Sequence, residues 1–500
     1  MRTLIRDAAI VTVDAADTVL PRGDLVIENG RLAYVGPPDD ARRRERYDAV
    51  FDGARHVAMP GLVNAHTHTY ATLFKGSFER LPLDLWLVYM RSPTGRLSDE
   101  QLYLGSLVSA VEMLRTGTTT CLDHFFGNTS LAYGGMPQEL AAMDAAGMRA
   151  AVAYVLADLK WEDTLPLDPR FVQASGGAAA QVTGRETAQG LEAAAEFFAA
   201  YQGRYPRISL LVGPSAAHRL SDAMLAGCRA LADRFGIGLH LHVGEAKSHA
   251  VQAREAFHTT LVGRLDALGV LGPDVSMAHC VWLDDDEFAL AASRGATIIH
   301  NPASNLKLGS GVARVRRMRE LGVNVAVATD GPCSSDNFNM FEALRLTALL
   351  HTSNQVDYRQ WPAARDLLRM ATINGARACG LQDEIGSLEV GKRADVVLLR
   401  RDSYALAADN DLPVQLVYCE NGAAVDTVFV DGEIVVREGR CTRVDEQAVY
   451  RQVSATRAAL QPGFAADLAA AAALEPAVHE MWQRLAGWPL PSMAPGAWFA

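Results

Sequence analysis

The chain has no apolar run of bilayer length, which leaves no candidate for a membrane-spanning helix. Its opening, Met1-Arg2-Thr3-Leu4-Ile5-Arg6-Asp7, lacks the long apolar core and small-residue cleavage site of a secretory signal. A cytoplasmic location is the expectation. Cysteine is scarce, with seven residues, odd in number, scattered and mostly set among apolar neighbours. That pattern points to reduced, buried thiols and away from a disulfide framework. Basic charge is in deficit, the net charge being −11, and no basic run or basic-aromatic stripe offsets it. A nucleic-acid partner is therefore excluded, and the acidity reads as an aid to solubility. Neither a solenoid-length repeat nor a low-complexity linker is present.

Two nucleotide signatures are near misses. Gly386-Ser387-Leu388-Glu389-Val390-Gly391-Lys392-Arg393 has the spacing of a phosphate-binding loop, but Arg393 stands where a Ser or Thr must reach magnesium. Glu389 would also bring negative charge toward the phosphates, so the segment reads as a turn into the strand Ala394–Leu399. The cytidine-deaminase pattern, H-x-E with P-C-x-x-C, fails because Pro332-Cys333 lacks the second cysteine.

What is present is an α/β pattern. Hydrophobic residues make up 49% and charged residues 21%, an ordinary globular balance over 500 residues. Apolar runs at about 61–65, 117–122, 149–155, 208–213, 237–243, 275–280, 296–300 and 324–329 alternate with helical stretches such as 98–115, 221–235 and 283–294. Eight such repeats predict a closed (β/α)8 TIM-like barrel. Short strands with turns, Thr3–Val13, Asp24–Ile27 and Arg31–Val35, precede it, and strands at Ala394–Leu399 and Val425–Val430 follow it. The two chain ends should pair into a small β-sandwich domain. The expected division is 1–58 and 380–440 for that domain, 59–379 for the barrel and 441–500 for a helical extension. The Pro-rich finish from Pro489 to Pro495 reads as an exposed end, and 160–190, matching neither helix nor strand, as a lid-like insertion.

The first apolar run closes on His66-Thr67-His68, and residues i and i+2 of a strand point to one side. Later runs also end in metal-ligating residues: Leu239-His240-Leu241-His242, Met277-Ala278-His279 and Ala328-Thr329-Asp330. In a barrel of this kind such groups gather at the C-terminal rim. His66, His68, His242 and Asp330 form a set of three imidazoles and one carboxylate, suited to one divalent ion per subunit, zinc first and iron as the other choice. His240 faces the same side as His242 and competes for the role. It lies one layer deeper, and is read as a buried, hydrogen-bonded histidine beneath the site.

Pro60–His68, His242-Val243-Gly244-Glu245, Asn301–Gly311 and Thr329-Asp330-Gly331 together resemble the amidohydrolase superfamily, within it the mononuclear ATZ/TRZ branch of deaminases and triazine hydrolases. The resemblance runs to Asp395. It implies that His66, His68, His242 and Asp330 bind the metal and that Asp330 also takes a proton from water. It further implies that Glu245 shuttles a proton to a ring nitrogen and then to the leaving group. His279 would polarise the bond under attack or hold the hydroxide. Downstream of Asp330 the chain reads Pro332-Cys333-Ser334-Ser335, where the family commonly has alanine-serine-asparagine-asparagine. That departure bears on substrate and leaves the ligand untouched.

Four further residues are candidates for substrate contact. Trp86, in the loop and helix after the first strand, could cover a flat ring by stacking, or be buried against the barrel wall. His124 closes the second strand, where Asp123 could orient it, and a packed structural histidine is the competing reading. His218 follows the fourth strand. Asn305 is expected to terminate the seventh.

The expected function is a metal-dependent hydrolase that deaminates a purine, pyrimidine, pterin or triazine through metal-activated water, releasing ammonia. Alternatives keep the machinery and change the leaving group to a halide, an alkylamine, or the amine of a urea or amide; a non-catalytic binding barrel is a third. Glu245 favours a leaving nitrogen, which needs a proton where chloride does not. The partner is then a small heterocycle; no membrane or nucleic acid is expected, and a homo-oligomer is suggested only because many members of the family associate.

Overall fold

The structure is a computed structural model that describes residues 2–127, 134–174, 186–353 and 357–488. Eight parallel strands form one sheet in sequential order: Leu62–Thr67, Thr118–Phe125, Arg149–Leu156, Ile208–Pro214, Leu239–Val243, Val275–His279, Thr297–His300 and Asn324–Val327. Nearly every residue in them is buried, as expected when helices cover one face and a packed interior the other. The strands are rich in Val, Ile, Leu and Ala, which suits this double burial. Side chains and one backbone bond close the ring between the eighth strand and the first. Asn64 Nδ2 donates to Thr329 Oγ1 at 2.7 Å, Thr329 N–H to Asn64 Oδ1 at 3.0 Å, and Asp330 N–H to the His66 carbonyl at 3.0 Å. The crossover helices include Asp99–Arg115, Asp222–Phe235 and Asp285–Ser293. Their starts carry capping signals readable in the sequence, such as the reciprocal Ser98–Gln101 and Asp284–Glu287 caps.

The two chain ends build a separate nine-stranded sheet, in which His56–Pro60 lies between Arg2–Val11 and Val396–Arg400. The sheet folds over so that Ile10, Leu25 and Ile27 share a core with Val396, Leu398 and Phe429. Arg149, at the start of the third barrel strand, joins the two bodies. Its guanidinium reaches Asp395 Oδ2 at 2.9 Å and Asp431 Oδ1 at 2.6 Å in a buried network. The expected turn before the C-terminal strand is there, with Leu32 N–H donating to the Lys392 carbonyl at 2.8 Å.

The apolar stretch from 57 to 65 is two strands belonging to two sheets, His56–Pro60 and Leu62–Thr67, hinged at Gly61. A Cβ on Gly61 would lie 2.0 Å from Thr119 Oγ1, so only glycine lets the chain pass between the sheets. The tail forms helices Glu446–Ala472 and Glu475–Ala486. The Pro-rich finish lies outside the described residues. Of the 160–190 segment, 175–185 is likewise outside. The part before it does not roof the barrel mouth: Trp161 and Leu165 pack with Val251, Val478 and Met481, and none of its residues lines the cavity described below. Among the described residues no helix is long and apolar enough to cross a membrane, and all seven cysteines are free thiols, five of them buried.

Candidate metal centre and its cavity

His66 and His68 leave the first strand side by side, His242 ends the fifth, His279 the sixth, and Asp330 follows the eighth. His279 and Asp330 hold left-handed backbone, with φ of 73° and 68°. Such conformations cost non-glycine residues about 1–3 kcal/mol and persist where surrounding structure enforces them, commonly at functional sites.

The imidazoles are oriented by what their far nitrogens bond. His68 Nδ1 donates to the His124 carbonyl at 2.7 Å and His242 Nδ1 to the Ser215 carbonyl at 2.6 Å. His66 Nδ1 lies 2.7 Å from His240 Nε2, and His240 Nδ1 lies 2.8 Å from Ser276 Oγ, which reaches the Leu239 carbonyl at 3.4 Å. The chain has one consistent polarity, in which His66 donates to His240, His240 to Ser276, and Ser276 to the carbonyl. All three rings therefore present an unprotonated Nε2 to the centre, the usual arrangement of histidines behind a metal. His240 is committed at both nitrogens and sits beneath the site.

The facing atoms fit an ion. His66 Nε2 is buried without a hydrogen-bond partner. His66 Nε2 and His68 Nε2 stand 3.4 and 3.3 Å from Asp330 Oδ1, and His242 Nε2 stands 3.2 Å from His68 Nε2. Ligands about 2.0–2.1 Å from a tetrahedral zinc are separated by about 3.3 Å. Two lone-pair nitrogens held this close repel unless a cation lies between them. Burial drives the His66 and His242 rings well below the ordinary histidine range, helped by neighbouring imidazoles, which favours the neutral, ligating form of both. Asp330 is held below the usual carboxylate range, because attraction to His68 and His279 and a bond from Ser304 Oγ outweigh its burial.

Glu245 stands just past the fifth strand, swung toward the centre by Gly244 at φ 56°. A Cβ on Gly244 would meet Leu283 Cδ2 at 2.8 Å. Burial, with repulsion from Asp330 and Asp84, pushes the Glu245 carboxyl well above the ordinary glutamate value. Such surroundings favour its protonated form. His279 Nδ1 lies 2.9 Å from Asn305 Oδ1 and 3.6 Å from Glu245 Oε1, while its Nε2 faces Asp330 Oδ2 at 4.0 Å. Burial lowers the His279 ring to about 4.

These groups open on a largely apolar cavity into which a few polar side chains converge, the character of a small-molecule site. His68, His242, Glu245, His279 and Asp330 form its floor, and Trp86 and His218 stand in its walls. Two other candidates do not reach it. His124 is fully buried in the barrel interior, its ring 4.8 Å from that of His242, because the strand end points it down the axis. Asp123 does not orient it, and bonds instead to Thr67 Oγ1 and Thr69 N–H. Asn305 lies in the short helix Pro302–Lys307 beyond the seventh strand, where it orients His279 from behind. The sequence reading also passed over His249, which stacks on His218 with ring centres 3.7 Å apart, and Arg91. Arg91 had a signal: it falls in the helical stripe of Leu83, Trp86, Leu87 and Met90, where an apolar residue is the norm.

Residues 57–435 match the sequence profile of the Amidohydrolase family. The chain is 36% identical over 454 residues to a 5'-deoxyadenosine deaminase of Methanosarcina mazei, covering 90% of this chain and 96% of that protein. It is 36% identical over 459 residues to a 5-methylthioadenosine/S-adenosylhomocysteine deaminase of Desulforudis audaxviator, covering 91% and 98%. Among solved structures, an adenosine deaminase from Xanthomonas campestris with bound zinc superposes with a TM-score of 0.82 at 28% identity, covering 92% of this chain and 98% of that one.

Proposed function

The chain belongs to the amidohydrolase family, and from that premise we propose that it hydrolyses a C–N bond, replacing the exocyclic amino group of an aminopurine-type heterocycle by oxygen and releasing ammonia. His66, His68, His242 and Asp330 hold one divalent ion, and zinc is the ion that fits three imidazole nitrogens and one carboxylate oxygen at tetrahedral spacing. Such an ion brings the pKa of the water it binds to about 7, so a nucleophile is available at neutral pH.

The chain's own residues then divide the proton work. Asp330 accepts a proton from the attacking water at a carboxylate oxygen. His279, with Nδ1–H engaged by Asn305, turns a neutral Nε2 toward the reacting carbon and holds the water in line. Glu245 donates its proton to the ring nitrogen beside that carbon, which makes the carbon electrophilic. Glu245, left unprotonated by that step, relays the proton held by Asp330 to the amino group, the C–N bond breaks to release neutral ammonia, and the remaining hydroxyl returns its proton to Glu245 as the carbonyl forms. Water contributes the oxygen and two protons, so the balance closes without another reactant.

The observation that carries this reading is the buried Glu245 carboxyl beside His279 and Asp330 on the cavity floor, in surroundings that favour its protonated form. A leaving amine needs such an acid, whereas chloride does not. The test is an ammonia-release screen of metal-loaded enzyme over aminopurine nucleosides, pterins and triazines, with chloride assayed in parallel. Ammonia from an aminopurine is expected, and release of chloride alone would overturn the assignment.

A further inference from the structure

Arg91 projects from the helix Leu83–Thr94 into the wall of the same cavity. It is 8% exposed, and its guanidinium lies over the Phe126 ring with 4.1 Å from Cζ to the centroid. Among the described residues it donates no side-chain hydrogen bond, and no carboxylate lies within 4 Å of it. Its Nε is a buried donor without a partner. The segments outside the described residues contain neither aspartate nor glutamate, so no acidic side chain there can complete the pair.

A guanidinium does not shed its charge in proteins, and burying one without a partner is costly. Two other buried arginines of this chain follow the rule. Arg149 has Asp395 and Asp431, and Arg264 has Asp222 with the carbonyls of Ala217 and Leu220. Arg91 departs from it at a place where a ligand can supply the missing group. Phe126, beneath the guanidinium, is also 5.4 Å from the His68 ring, centre to centre. The cationic wall therefore adjoins the metal floor and can be reached by a substituent of the ring being hydrolysed.

We propose that Arg91 is a specificity residue that pairs with an anionic oxygen group, of the carboxylate class, carried by the substrate. The inference rests on the deaminase reading and narrows it: the substrate is an amino-heterocycle bearing an acid, either on the ring or on a tail attached to it. A guanidinium, unlike an ammonium, matches the two coplanar oxygens of a carboxylate.

Two probe pairs separate the sources of that acid: pterin-6-carboxylate against pterin places it on the ring, and S-adenosylhomocysteine against 5'-methylthioadenosine places it on a tail. With metal-loaded enzyme, the acidic member of one pair should show at least a tenfold higher kcat/KM than its neutral partner. Arg91→Met, which keeps the apolar stem, should erase that preference mainly through KM, and Arg91→Lys should retain part of it. No preference for acid in either pair, or an Arg91→Met loss equal for acidic and neutral members, overturns the proposal. If Arg91→Met does not fold, the wild-type preference and Arg91→Lys still decide. A thermal shift with each probe reads binding without turnover. An acid-dependent shift without ammonia would sink the deaminase reading and keep Arg91, whereas ammonia without acid preference would do the reverse.

Discussion

Trp482 donates its indole N–H to Asp84 Oδ2 at 3.0 Å, joining residues 398 apart in the chain. Asp84 is fully buried and also accepts from Ser248 Oγ at 2.9 Å, while its Oδ1 lies 3.5 Å from His249 Nε2. His249 stacks on His218 in the cavity wall. The C-terminal helix Glu475–Ala486 thus holds the polar side of the pocket from outside. Trp482→Phe keeps the ring and removes the donor, at a cost of about 1–3 kcal/mol for a buried acceptor left short of a bond. Thermal melting should fall accordingly, and KM should rise several-fold with kcat changed less. An unaltered KM would show that the extension does not position the wall.

His240 gives a second prediction. Because it accepts from His66 Nδ1, replacing it by alanine leaves that donor unsatisfied and frees the His66 ring to rotate. Loss of such a partner behind a metal ligand typically weakens metal affinity about 10–100-fold. Metal analysis of the wild type should find one ion per chain. Competition with a graded series of chelators should strip His240→Ala at correspondingly lower chelator strength. Equal retention by both proteins would remove His240 from the metal's support.

Glu245→Gln should leave metal content intact and cut ammonia release by about 10²–10⁴-fold, the range for removing a general acid. In the wild type the carboxyl must carry its proton to act, and its raised value keeps it protonated well above the ordinary glutamate range. Glu245 should therefore set the alkaline limb of the pH profile, activity falling as its proton is lost. The variant's residual rate should lack that alkaline fall. A variant with wild-type turnover would exclude Glu245 from proton transfer.

How much of this was legible in the sequence depended on distance along the chain. The convergence of His66, His68, His242 and Asp330 was readable because each strand signals its own end, and a strand's two-residue period turns His66-Thr67-His68 to one side. The buried role of His240 was readable for the same reason, one period below His242. Gly61 was not: the apolar run on both sides of it is continuous, and only the approach of Thr119 shows that two sheets meet there. Asn305 sits past its strand because Pro302 opens a short helix, which displaces it behind His279. The Trp482–Asp84 bond had no local signal at all, since neither residue's neighbours specify the other.

The last prediction concerns two carboxyls behind the first strand. Asp123 and Glu139 are both fully buried, and Glu139 stands against Asp123 and within reach of Thr69 Oγ1 at 3.5 Å. Burial pushes both upward, and for Glu139 the neighbouring Asp123 adds to the rise, carrying it well above 4.5. The folded state therefore keeps a proton that the unfolded chain has already lost. Where a native state binds the extra proton, stability falls as pH rises, by up to about 1.4 kcal/mol per pH unit for one proton. The stabilisation is complete below the ordinary glutamate value and disappears as pH climbs through the raised folded value. Glu139→Gln keeps a hydrogen-bond donor toward Asp123 and carries no titrating proton. Chemical denaturation from pH 5 upward should show wild-type stability declining relative to this variant, and a constant difference between them would mean that Glu139 is not the proton's holder.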